Sequence, residues 1–156
     1  MPWTHRLFRL TTPAVHAWWR ISRGMTLGAR VVAIDAAGRV ALVRHVYKRG
    51  WYLPGGGVES GERAEDAARR ELEEEANAVP EDPLALVGVY ANFAQFRGDH
   101  VLLYRAAARS LGARPADHEI AEVAWVSPHD PPTDATPATR RRLDELFGGA
   151  PVSPEW

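Results

Sequence analysis

The chain contains no cysteine, which excludes disulfide bridges, thiolate metal sites and a cysteine nucleophile. It has no long apolar run either: the longest nearly apolar stretch, Pro83 to Ala94, is too short to span a bilayer. Arg6 and Arg9 interrupt the early apolar residues and no hydrophobic stretch follows them, so no secretory signal is legible and a cytoplasmic enzyme is the default expectation. No internal repeat or low-complexity segment is evident. Excess charge of one sign is missing as well. Nineteen basic and 20 acidic residues give a net charge of −1, whereas a generic nucleic-acid binder is clearly basic, so no nucleic-acid partner is expected. What is present is a chain of 156 residues, 46% apolar and 25% charged, the size and composition of one globular domain with a real core.

The acidic charge is concentrated in one stretch, GGGVESGERAEDAARRELEEEANA, from Gly55 to Ala78. Its second half favours helix through its Ala, Leu, Arg and Glu content. In that helix Glu71, Glu74 and Glu75 stand at i, i+3 and i+4, so three carboxylates share one face across about 6 Å of rise, while Glu73 points elsewhere. Most charge runs are solvated faces. Two features argue otherwise here. The cluster occupies the last turns, where the negative end of the helix dipole disfavours carboxylates and neighbouring like charges add to the cost. A glycine-rich segment, LPGGGVESGE, precedes the helix and lets backbone groups approach a ligand closely. Carboxylates gathered beside such a loop suit hard divalent cations bridged by phosphate, because Mg²⁺ takes a few carboxylates and completes its shell with water and phosphate oxygens.

This segment resembles the box of the Nudix hydrolases, G-x5-E-x7-R-E-U-x-E-E-x-G-U, where U is a bulky aliphatic residue. Gly56 and Glu62 take the first two fixed positions, Arg70, Glu71 and Leu72 the R-E-U run, and Glu74 and Glu75 the acidic pair. Asn77 replaces the final glycine and Ala78 the final aliphatic residue. Asn is the next choice after Gly for a left-handed helix end. Arg63 stands where Ser or Thr often caps the helix.

Elsewhere the chain reads as LGARVVAID and VALVRHV flanking a turn, then two strands in 84–93 and 100–107, a loop over 108–118, and a last strand from Glu119 to Ser127. Thr136 and Pro137 open a terminal helix ending at Phe147. Strands with a central and a terminal helix give an α+β class; the resemblance implies an α/β/α sandwich with a mixed sheet. Three segments follow: an N-terminal basic amphipathic extension (1–24), the enzyme domain (25–148) and a flexible tail (149–156). The extension carries Arg6, Arg9, Arg20 and Arg23, with a helix start at Thr12-Pro13. Docking on its own domain or a homodimer contact is favoured over membrane contact for it.

The resemblance implies hydrolysis of a diphosphate linkage in a nucleoside diphosphate joined to another group, with Mg²⁺ or Mn²⁺. Metal ions neutralise phosphate charge and acidify bound water. Glu74 and Glu75 are the implied chief metal ligands, with Glu71 beside them and a backbone carbonyl from Gly55 or Gly56. Arg70 orients the glutamates, and Glu62 fixes the loop against the helix. Glu59 is a further candidate. Glu119 is the expected carboxylate from outside the box, with Glu122 as competitor; the general base is either Glu74 or Glu119. For substrate, Trp51 and Phe93 lead the aromatic candidates, with Tyr47, Tyr52 and Phe96, while Arg44, Arg49, Lys48 and Arg97 are phosphate candidates. Nothing in the residues selects the group attached to the diphosphate. The alternative function is a catalytically weak Nudix-fold nucleotide-binding or sensing module, which the intact box glutamates disfavour.

Overall fold

The structure, a computed structural model, describes residues 24–156. The expected helix at Thr12-Pro13 lies outside the described residues. Seven strands and two helices follow in the order β1 (Thr26–Ile34), β2 (Val40–His45), β3 (Gly55–Gly57), α1 (Ala64–Ala76), β4 (Ala78–Pro80), β5 (Ala85–Ala91), β6 (Asp99–Ser110), β7 (Ile120–Val126) and α2 (Pro137–Phe147). The central pair, β1 and β6, is parallel from Thr26 opposite Asp99 to Ile34 opposite Ala107, and every other pairing is antiparallel. The sheet is therefore mixed, in the order β4-β6-β1-β2-β7, with β3 added to β1 and β5 to β6.

Residues alternate between the two sheet faces, and both faces are covered. Val31, Ala33, Ala41 and Val43 pack with Ala67, Ala68, Leu72 and Ala76 of α1. Val32, Val40 and Leu42 pack with Trp51, Leu53 and Leu143 of α2 on the opposite side. Apolar runs such as VALV in β2 follow from this two-sided burial. The fold is α+β, a sheet between two helices. The small residues of α1 that face the sheet let it lie close, which brings the acidic end of the helix to the rim of β3.

Helix ends form where the sequence marks them. Asn77 closes α1 in the left-handed conformation (φ 47°, ψ 50°), donating its backbone N–H to the Glu73 carbonyl. Arg63 provides no side-chain cap at the other end, where Glu65 and Asp66 instead complement the dipole. Thr136 caps α2 by accepting from the Thr139 N–H, with Pro137 next.

Three segments depart from the sequence reading. Residues 108–110, expected in a loop, extend β6 and pair with β4, a strand the residues did not announce. Gly55–Gly57, expected only as a loop, is the short strand β3 paired to β1. The expected flexible tail is docked: Ala91 donates to the Pro154 carbonyl at 2.9 Å and Trp156 to the Ala91 carbonyl at 2.8 Å. The Trp156 ring meets Tyr90 edge-on, and both cover the fully buried Arg142.

Candidate active site

Glycine is required where β3 meets α1. Gly55 has φ +143°, and a Cβ there would lie 2.0 Å from the Ala29 carbonyl oxygen of β1. Its N–H donates to Glu75 Oε2 at 2.8 Å. A Cβ on Gly56 would sit 2.4 Å from Glu71 Oε1. Two box glutamates thus rest directly on the backbone of β3, one by a hydrogen bond and one by contact.

Arg70 gathers the others. Its Nε and Nη2 reach the two oxygens of Glu62 at 3.0 and 3.1 Å, and Nη1 reaches Glu71 Oε1 at 2.7 Å and Glu74 Oε2 at 3.3 Å. These bonds push the Arg70 guanidinium pKa up and hold Glu62 below its ordinary value. Glu62 also accepts from the Glu59 N–H at 3.0 Å, which ties the loop to the helix. Among the described residues, the Glu59 side chain makes no hydrogen bond or ion pair in this network.

Glu75 is different in kind. It is buried, and its pKa is pushed up to about 7, chiefly by burial, with the negative charges of Glu71 and Glu119 adding to the rise. The Gly55 N–H and the positive charge of Arg30 act against that rise. Donor atoms of Glu75, Glu119 and His45 lie within 4.8 Å of one another. His45 Nε2 stands 3.7 Å from Glu75 Oε1, and burial, then Lys48 and Arg30, lower the His45 pKa, which favours the neutral ring. Among the described residues, no Lys or Arg comes within 4.0 Å of the Glu75 carboxylate. A buried acid with carboxylate neighbours, a neutral imidazole and no cationic partner is a donor set that a dication completes.

Glu119 reaches this cluster from a loop with its own anchor. Arg114 Nε donates to the Glu74 carbonyl at 2.7 Å and Nη2 to Asp117 Oδ2 at 2.7 Å. Asp117 Oδ1 accepts from the N–H groups of Glu119 and Ile120 at 2.8 and 2.7 Å. The loop is thereby fastened to the helix turn that carries Glu74 and Glu75. Glu122 lies elsewhere, paired with Arg44 across β2 and β7.

The remaining candidates are dispersed. Arg44 is held by Glu122 and stacks over Trp51 at 5.1 Å. Trp51 is only 6% exposed, a core residue beneath α2 rather than a free stacking platform. Arg49 is exposed, and its carbonyl accepts from the Tyr52 hydroxyl at 2.9 Å. Phe93 is exposed and edge-on to His100. A cleft of about 540 Å³ opens beside Gly56 and Gly57, between β1 and the start of α2, and neither Trp51 nor Phe93 lines it; Tyr52, Asn92 and Trp156 do. His45 and the Arg114–Asp117 anchor have no counterpart in the sequence reading. A single histidine ending an apolar strand gives no periodic signal, and the anchor joins residues 40 positions apart.

Fold and site together define a hydrolase class: a two-sided mixed sheet with an acidic helix behind a glycine strand. A family model described as NUDIX domain matches residues 24–147. The chain is similar to a putative 8-oxo-dGTP diphosphatase of Bacillus subtilis (strain 168), 34% identical over 128 residues that cover 80% of this chain and 82% of that protein. It is 37% identical over 113 residues to a putative mutator protein MutT4 of Mycobacterium tuberculosis (strain CDC 1551 / Oshkosh), covering 68% of this chain and 45% of that protein. A crystal structure of a MutT Nudix hydrolase from Burkholderia pseudomallei superposes with a TM-score of 0.67 at 28% identity, covering 80% of this chain and 99% of that one. The chain belongs to the Nudix hydrolase family and is a pyrophosphatase-type enzyme. Among the described residues, no helix is long and apolar enough to cross a membrane.

Proposed function

We propose that the enzyme hydrolyses a diphosphate linkage in a nucleoside di- or triphosphate derivative, using Mg²⁺ or Mn²⁺ held by the box glutamates. The observation that carries this reading is the buried Glu75 carboxylate, set beside Glu71, Glu119 and His45, with no Lys or Arg within 4.0 Å of it among the described residues. A bound dication would neutralise phosphate charge and acidify a water molecule. Glu75 and Glu119 would hold it, with Glu71 kept in place by Arg70 and His45 available as a nitrogen donor. Glu74 is exposed, and among the described residues its side chain is tethered only by the 3.3 Å contact to Arg70. It is free either to join Glu71 and Glu75 as a ligand or to take a proton from water, and Glu119 is the other eligible base.

The nucleoside belongs in the cleft beside Gly56 and Gly57, whose volume of about 540 Å³ is within the usual range for a ligand of that size. The similarity to a protein named as an 8-oxo-dGTP diphosphatase supports a nucleotide substrate. The reading takes the substrate to be a small molecule rather than a nucleic acid, and places the enzyme in the cytoplasm. The test is phosphate release, coupled through inorganic pyrophosphatase or, for products that are monophosphate esters, alkaline phosphatase, from a panel of nucleoside triphosphates, oxidised nucleotides, nucleotide sugars, dinucleotides and 5′-triphosphorylated RNA, with and without EDTA. Turnover of one nucleotide class, abolished by EDTA and restored by Mg²⁺, is expected. Turnover that survives EDTA refutes the reading, and preference for the RNA refutes the small-molecule part of it.

A further inference from the structure

We propose that Arg30, on β1, binds the substrate by gripping a phosphoryl oxygen of its diphosphate from the cleft side of the glycine strand. The inference rests on the diphosphohydrolase reading above and adds a residue to it.

Arg30 stands opposite Gly55 in the β1–β3 pairing. Alternation along β1 sets it on the face shared with Val32, away from Ala29 and Val31. It lines the cleft together with Gly56, Gly57, Lys48 and Arg141. Its Nη1 has no accessible surface and no hydrogen-bond partner. Buried donors in folded proteins are nearly always bonded, so an unbonded one on a residue that lines a cleft points to a partner that arrives with a ligand.

A structural role as counterweight to the glutamates is the competing explanation. Burial disfavours the charged form of Arg30, and the charges of Glu75 and Glu71 partly offset that effect. Yet neither carboxylate lies within ion-pair distance: among the described residues, no acidic oxygen comes within 4.0 Å of the Arg30 guanidinium. A residue placed only to neutralise Glu75 would be expected to touch it. Standing off from the acids, with a buried unbonded donor on a residue that lines a cleft Lys48 and Arg141 also make basic, Arg30 suits an anion held between it and the cation site. The planar guanidinium matches phosphate oxygens in a way that ammonium does not.

The experiment uses the full chain with Arg30→Gln and Arg30→Lys, and methylenediphosphonate as a non-hydrolysable probe. Probe binding is followed by calorimetry in Mg²⁺, Mn²⁺ binding without probe by electron paramagnetic resonance, and kcat and KM by phosphate release. For Arg30→Gln, probe affinity should fall at least tenfold and KM rise by a similar factor, with Mn²⁺ affinity unchanged or tighter. Arg30→Lys, which keeps the charge but loses the fork, should fall between the two and tests the inference should the glutamine variant not fold. Probe affinity and KM within twofold of wild type, with altered Mn²⁺ affinity, would show a counterweight and overturn the inference while the parent reading stands. A wild-type protein that turns over no diphosphate compound would overturn both.

Discussion

Replacing each of the three adjacent glycines by alanine should give three different results, because β3 meets its neighbours differently at every position. At Gly55 the new Cβ would lie 2.0 Å from the Ala29 carbonyl and 2.8 Å from the Arg30 Cα, at φ +143°. Both obstacles are backbone and cannot turn aside. Backbone strain of about 1–3 kcal/mol plus overpacking of about 1–3 kcal/mol is a large share of a typical domain stability of about 5–15 kcal/mol, so Gly55→Ala should unfold or melt far below wild type. At Gly56 the conformation accepts a side chain, but the Cβ would lie 2.4 to 2.8 Å from the three carboxylate atoms of Glu71. Ordinary contact requires the carboxylate to retreat by about 1 Å. That stretches its 2.7 Å bond to Arg70 past hydrogen-bonding range and costs about 1 kcal/mol of stability. A displacement of this size in a catalytic constellation lowers turnover by about 100-fold, equivalent to about 2.7 kcal/mol of barrier. At Gly57 nothing lies within 4 Å and φ is not positive, so alanine should leave the melting midpoint unchanged. Thermal melts beside steady-state phosphate release at saturating Mg²⁺ read all three. A folded Gly56→Ala protein with activity within threefold of wild type would refute the placement of Glu71, and a destabilised Gly57→Ala would refute the open surroundings of that residue.

Other consequences are as direct. Glu119→Gln should lower turnover by at least tenfold and Glu122→Gln should not; the reverse would mean that the outer carboxylate has been misassigned. Asp117→Ala should reduce turnover through Glu119 and lower the melting midpoint, and restoration of turnover by Asp117→Glu would mark it as a positioning residue. Hydrogen bonds from Arg114 and two backbone N–H groups hold the Asp117 carboxyl well below its usual range. A depressed folded pKa means that the stability it supplies is present above the unfolded value of about 3.9 and is lost as pH falls through the folded value. In acid titrations, the stability gap between wild type and Asp117→Asn should be constant above about pH 5 and shrink below about pH 4. Trp156→Ala should cost about 2 kcal/mol in urea unfolding, from lost apolar burial and from the lost ring contact with the Arg142 guanidinium. No change within 0.5 kcal/mol would show the tail to be loose.

Local chemistry explains what could be read from the residues. Asn77 ends α1, and Thr136 with Pro137 starts α2, because capping depends on a few neighbouring groups. The helical spacing of Glu71, Glu74 and Glu75 could be read before any fold was known, whereas the division of labour among them could not. Burial separates Glu75 from Glu74, and burial depends on how closely the alanines of α1 approach the sheet. Non-local pairing decided the rest. Residues 108–110 look like loop until Ala78–Pro80 lies beside them. The last residues look unstructured until Trp156 finds Tyr90 and Arg142. Trp51 has the composition of a stacking platform but lies under Leu143 and Leu53 in the core. His45, with Nδ1 buried and unbonded, becomes a site residue only when the end of β2 is brought against Glu75.

The central claim is that the carboxylates at the end of α1 are assembled to hold a dication. Mn²⁺ binding by electron paramagnetic resonance, on wild type and on Glu75→Gln and Glu74→Gln, tests it most directly. Wild type should bind Mn²⁺ saturably in competition with Mg²⁺. Glu75→Gln should lose that binding while keeping its fold. Glu74→Gln should lose turnover, with Mn²⁺ retained if Glu74 is the base and weakened if it is a ligand. Wild-type protein that binds no Mn²⁺, or Glu75→Gln that binds it as tightly as wild type, would contradict the account.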